Sequence, residues 1–125
     1  MSYDLAFWQE NLEIDASEAF RKYDAMTDGT SGVFAESENV RAFHRALRDI
    51  HPDLTIENAE MSPWTSPVYG NGECVLVTIA WSRKDELVEG LIPLARKHGL
   101  LTYDPQQEEV HQQPPQLLKP PRTDQ

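Results

Sequence analysis

The chain reads as an α+β domain on three observations. Hydrophobicity has a period of two at the N-terminus, apolar residues recur at helical spacing in three later segments, and a glycine-rich turn joins two apolar runs of strand character. At 125 residues there is room for one hydrophobic core without disulfide or metal staples.

Tyr3, Leu5 and Phe7 alternate with Asp4, Ala6 and Trp8, as in a strand with one strongly apolar face. Asp15 and Glu18 then stand at N-cap and third-position spacing, where the Asp15 carboxylate can accept from a backbone N–H that a first helical turn leaves unpaired. Ala16, Ala19, Phe20 and Tyr23 follow at helical intervals, with Ile14 placed to staple against Ala19. Asp28-Gly29 marks the stop, since glycine takes a left-handed backbone at little cost. The second helix opens at Ser37, with Glu38 near the positive end of its dipole, and runs to about Ile50 before Pro52. Its core stripe is Val40, Phe43, Leu47 and Ile50. Arg41, Arg45 and Arg48 form an adjacent stripe with His44 between the two, better read as pairing with neighbouring acids than as an anion grip.

From Pro52 to Pro67 no periodicity is sustained, and the prolines of Ser62-Pro63-Trp64-Thr65-Ser66-Pro67 predict an ordered loop. Val68-Tyr69, Gly70-Asn71-Gly72 and then Glu73 to Trp81 predict a hairpin, because glycine and asparagine tolerate the positive φ of tight turns. In its second strand Val75, Val77, Ile79 and Trp81 face one way and Cys74, Leu76, Thr78 and Ala80 the other, so both faces want cover. Ser82 and Asp85 repeat the N-cap spacing. The helix after them carries Leu87, Val88, Leu91, Ile92, Leu94 and Ala95 on one face and ends near Gly99. Pro93 interrupts it opposite that face, which predicts a single bent helix with the freed carbonyl toward water. Leu100–Asp104 is the last predicted strand. The compact domain is expected to span residues 1–110, and the proline- and glutamine-rich residues 111–125 to be an extended or disordered tail.

Strand, two helices, hairpin, helix, strand is the order of a ferredoxin-like split β-α-β fold with a doubled first crossover. Its expected form is a mainly antiparallel four-stranded sheet with the helices on one face and the other face open.

The formal charge is −10, from 21 acidic and 11 basic side chains. Residues 1–63 hold 13 of those acids against 5 bases, and residues 64–125 hold 8 against 6. Such a chain repels phosphate backbones, so no nucleic acid is expected and basic proteins are the favoured partners; solubility alone is the plainer reading of the same charge. No apolar run is long enough for a membrane span and the start lacks a signal-peptide pattern, so a cytoplasmic protein without membrane contact is expected.

Signs of catalysis are missing. No Gly-x-Gly-x-x-Gly or phosphate-loop motif occurs, and His44, His51, His98 and His111 are too dispersed to aim a helical pair at one metal, so neither cofactor nor metal is expected. Cys74 sits in an apolar run, where desolvation disfavours the thiolate and core packing is the expected role. The pairs Glu57 with Glu60 and Glu108 with Glu109 read as solvated carboxylates rather than an acid and base. No enzymatic role is therefore expected. Trp64, on its proline-braced loop, suits either an interface anchor or a lid over the core.

Met1-Ser2-Tyr3-Asp4-Leu5, Ser62-Pro63-Trp64, Gly70-Asn71-Gly72 and His98-Gly99-Leu100 leading to Tyr103-Asp104-Pro105-Gln106 resemble a family of small bacterial proteins over residues 1 to about 108. More loosely, the chain is similar to immunity proteins of polymorphic toxin systems. That resemblance implies binding and neutralising a cognate toxin domain, a basic nuclease being the type an acidic inhibitor suits. Glu57, Glu60, Trp64 and Glu73 are the candidate contacts, chosen for loop position and chemistry. The alternative function is an oligomeric ferredoxin-like module, a homodimer for example, holding a small ligand on the open sheet face.

Overall fold

Ser2–Trp8 forms β1, the central strand of an antiparallel sheet in the computed structural model, which describes residues 2–112. In chain order follow α1 (Ala16–Thr27), α2 (Glu38–Ile50), β2 (Tyr69–Gly70), β3 (Cys74–Ala80), a 3-10 turn at Trp81–Arg83, α3 (Lys84–Lys97), β4 (Leu101–Asp104) and β5 (Glu109–His111). The sheet order is β2-β3-β1-β4-β5. Its first four strands have the ferredoxin-like order, and the α+β class stands. A fifth strand extends the expected four: the tight β4–β5 turn brings Val110 opposite Tyr103, and β5 runs one residue into the stretch expected to be extended or disordered.

Register decides which side chains share a face. Leu5 lies opposite Val77 and Phe7 opposite Val75, so the odd-numbered residues of both strands meet α2 and α3. Val40, Phe43 and Leu47 from α2 and Leu87, Leu91 and Ala95 from α3 close this first core. Full burial of each larger aliphatic or aromatic side chain contributes roughly 1.5–3 kcal/mol.

The expected placing of all helices on one face is corrected here. Ala6, Trp8, Cys74, Leu101 and Tyr103 form a second core on the opposite face, covered by Ala19 of α1 and by Phe34. Trp8 stacks on Phe34 at 4.4 Å, and Tyr23 tilts against Tyr103 at 5.4 Å. Because β1 and β3 are apolar on both faces, one helical layer leaves large side chains in water, and α1 crosses to the other side.

The helix signals are met in detail, with three exceptions, the first being Phe20, expected in the apolar stripe of α1 but 50 % exposed. Glu18 N donates to Asp15 Oδ1 at 2.8 Å, and Ser37 Oγ accepts from Asn39 and Val40. Arg41 pairs with Glu36 at 2.6 Å and Arg45 with Glu38 at 3.1 Å, the ion-paired reading for two of the three arginines of the basic row. Ser82, however, is not a cap: the 3-10 turn runs directly into α3 and supplies its first turn. Trp81 therefore leaves the strand pattern and stands half-exposed beside Lys84, whose ammonium lies 5.0 Å from its ring. Ile50, expected in the core stripe, is 56 % exposed because the helix ends there and the chain turns away at His51.

β2 approaches α2 closely. A Cβ on Gly70 would stand 2.6 Å from the His44 imidazole, and Gly72 takes φ +88° in the turn into β3. The outer edge of β3 is shared between two short segments: β2 pairs with Val75 and Leu76, and farther along Ala80 N donates to the Pro63 carbonyl at 2.7 Å and Thr65 N to the Thr78 carbonyl at 2.9 Å.

Two side chains tie down the C-terminal end. Asp104 is buried, and its carboxylate accepts from the Tyr3 hydroxyl, from the backbone N–H groups of Gln106 and Gln107, and from Gln106 Nε2. Gln106 also pairs with the Asp4 backbone in both directions, accepting at 2.5 Å and donating at 2.8 Å, so its amide stands in for a strand partner beyond the end of β4. Gln112 does the same across the β1–α1 loop, accepting from Ile14 N and donating to the Leu12 carbonyl. Ordered contacts therefore continue past residue 110 to Gln112. The extended or disordered tail expected over residues 111–125 otherwise lies outside the described residues.

Asp104→Ala should lower the unfolding free energy by about 2–4 kcal/mol, since it strands several donors at once, as read from urea denaturation. Removing residues 109–125 should lower the melting temperature by about 5 °C or more relative to removing 113–125, because β5 and the Gln112 clamp are lost only in the shorter chain.

Candidate functional site

The loop between α2 and β2 combines an ordered backbone with exposed apolar side chains. Its order comes from short polar residues. Asp53 Oδ1 accepts from Leu54 N at 2.8 Å and from Val68 N at 2.9 Å, pinning the two ends together. Asn58 closes the tip: Oδ1 accepts from Thr55 N at 2.8 Å, Nδ2 donates to the Asp53 carbonyl at 2.8 Å, and its own carbonyl accepts from Met61 and Ser62. Arg83, held by a two-point pair with Glu86, donates to the Met61 carbonyl at 3.2 Å.

On this frame Ile56 is 94 % and Met61 81 % exposed, with Glu57 and Glu60 exposed between them. Neither carboxylate makes an ion pair or side-chain hydrogen bond among the described residues. Apolar side chains this exposed on a pinned backbone bury surface on contact with little further ordering cost. Beside the tip runs a groove with a cavity volume of about 490 Å³, lined by Leu54, Glu60, Trp64 and Arg83 among others.

Of the four expected contact residues, Glu57 and Glu60 fall together on this loop. Trp64 is 2 % exposed and joins the first core, edge-on to His51 at 5.8 Å. The lid reading is the one that holds for it, because its bridge to Ile79 turns the indole inward. Glu73 is half-buried in the β2–β3 turn, away from the loop in the chain and held by Asn71 Oδ1 through its backbone N–H. Ile56 and Met61 were missed by sequence reasoning, although two isolated apolar residues flanked by acids in a loop without period are a usable signal.

Elsewhere burial favours the neutral form of several titratable groups. Burial, then the Glu73 charge, pushes the Cys74 thiol up to about 12. Burial also raises the Tyr3 and Tyr23 hydroxyls to about 12. Among the described residues no three His, Cys, Asp or Glu side chains are grouped to hold a metal ion, and no helix is long and apolar enough to cross a membrane.

Comparison with family models, with curated proteins and with solved structures returns no match.

His51 and His44 have imidazole pKa values lowered first by burial, then by Arg83 and Arg48 respectively. A histidine depressed in the folded state takes its proton first in the unfolded chain. Its contribution is thus intact above the unfolded value of about 6.5 and is lost as pH falls below it. The melting temperature should therefore drop between about pH 7 and pH 5, and the drop should shrink in a His44→Gln, His51→Gln double variant followed by thermal denaturation.

Proposed function

We propose that this protein is an immunity-type inhibitor that binds and neutralises a cognate bacterial toxin domain through the loop carrying Ile56, Glu57, Glu60 and Met61. The observation that carries the proposal is the pairing of two almost fully exposed apolar side chains with unpaired carboxylates on a hydrogen-bonded loop. Two apolar anchors with like charges between them suit a partner that sets lysine or arginine between two hydrophobic contacts, and the basic surface of a nuclease offers that chemistry. The charge of −10 favours the same partner by accelerating encounter. The resemblance of the first strand, the Ser62-Pro63-Trp64 segment and the Tyr103-Asp104-Pro105-Gln106 segment to small bacterial proteins and, loosely, to immunity proteins supports the reading without identifying the toxin.

Co-expression with the toxin encoded beside its gene should restore growth and yield a complex that survives gel filtration; neither happening sinks the proposal. Ile56→Asp with Met61→Asp should weaken the complex by about tenfold or more, while the melting temperature stays within about 2 °C because both positions are exposed. Glu57→Lys with Glu60→Lys should act mainly on the association rate and flatten its salt dependence.

A further inference from the structure

The turn that joins β2 to β3 sets Asn71 directly before Gly72 and holds the asparagine side chain at both ends. Asn71 Oδ1 accepts from Glu73 N at 2.9 Å and from Cys74 N at 3.2 Å, while Asn71 Nδ2 donates to the Tyr69 hydroxyl at 3.0 Å. The Gly72 N–H, next along the chain, has no acceptor among the described residues. Gly72 takes φ +88°, and a Cβ there would stand 2.9 Å from Arg41 Nη2, so the guanidinium lies close over the turn where glycine leaves it room. Asn71 itself is exposed, and water reaches it.

These are the parts of an intramolecular displacement. A side-chain amide carbon is attacked by the neighbouring backbone nitrogen when that nitrogen is sterically open, when charge developing on the carbonyl oxygen is met by donors, and when the leaving nitrogen can take up a proton. Glycine meets the first condition, since no Cβ crowds its nitrogen. The two backbone donors on Oδ1 meet the second, and the Arg41 charge favours loss of the Gly72 amide proton, an effect weakened by its pairing with Glu36. The Tyr69 phenol, against Nδ2, meets the third. The other asparagines, Asn11, Asn39 and Asn58, are followed by Leu12, Val40 and Ala59, whose Cβ atoms crowd the attacking nitrogen.

We infer that the β2–β3 turn is a self-modification site, at which Asn71 of the folded protein closes to a succinimide with Gly72 and reopens in water as aspartate or isoaspartate. In the first step the Gly72 N–H gives its proton to water, the nitrogen bonds to Asn71 Cγ, and the Cγ–Nδ2 bond breaks to release ammonia. The Tyr69 phenol passes Nδ2 the proton it needs and recovers one from water. Water then splits the imide. Cleavage between the nitrogen and Cγ leaves aspartate; cleavage between the nitrogen and the Asn71 main-chain carbonyl leaves isoaspartate, with one more carbon in the backbone of the turn that closes the Gly70–Val75 pair. Either product adds a negative charge near Glu73 and removes the donor to Tyr69. The chemistry needs neither the loop carrying Ile56 and Met61 nor a toxin, so either proposal can fail alone.

The full-length chain is aged at neutral to mildly alkaline pH, once folded and once in urea, and each asparagine is followed by peptide mass mapping with isoaspartyl-methyltransferase labelling. In the folded chain Asn71 should convert at least as fast as in urea and about tenfold or more faster than Asn11, Asn39 or Asn58, with isoaspartate among the products. Arg41→Gln and Tyr69→Phe should each slow conversion in the folded chain by about threefold and leave the rate in urea unchanged, with melting curves showing that both variants stay folded. The isoaspartyl form should melt about 2 °C or more below an Asn71→Asp variant, which keeps the length of the turn. An Asn71 that converts in urea but stays intact when folded would show that the turn protects it and would overturn the site. Conversion no faster than at the other asparagines, or folded-chain rates unmoved by both substitutions, would overturn it equally.

Discussion

Burial of both faces of β1 and β3 is the constraint on which the rest of the structure depends. With Leu5 and Phe7 on one side and Ala6 and Trp8 on the other, the central strand has no surface it can leave in water. Everything between β1 and β2 answers to that. α1 and Phe34 are spent on the second face, α2 returns to the first, and the chain then needs a long connection before it reaches the edge of β3. The loop with Ile56 and Met61 lies in that connection. Its backbone is held from within by Asp53 and Asn58, so the side chains at its tip are not needed for packing.

Much of this was legible from residue patterns. Local signals held wherever their cause is local: Asp15 and Ser37 cap their helices because a short polar side chain reaches unpaired N–H groups without help from elsewhere. Asn71 and Gly72 close the hairpin for the same reason. Ser82 failed because the segment before it winds into a 3-10 turn, which removes the need for a cap. The side on which α1 packs was half legible. The β3 pattern already required cover on both faces, but nothing in α1 states which face it will meet, since Ala19, Tyr23 and Met26 would suit either.

The glutamines at 106 and 112 mark a second limit. Their amides replace peptide groups at places where strands end, and this use of a side chain leaves no period and no composition signal. β5 is three residues long and was hidden in the same stretch. On the candidate surfaces, loop position and chemistry pointed to Glu57 and Glu60, whereas Trp64 required its register against Ile79 to show that the indole faces the core.

The central position of β1 has a further consequence during synthesis on the ribosome. Its register partners are Cys74–Ala80 on one side and Leu101–Tyr103 on the other, so the first strand to be made waits for nearly the whole chain. At about 5–20 residues per second, that leaves Leu5, Phe7 and Trp8 without their final neighbours for several seconds. Neither core can close before β3 and β4 are available, so both faces of β1 stay open until the last of its register partners has been made. The nascent N-terminus, with its alternating aromatic residues, is then the part of this protein most exposed to capture by chaperones.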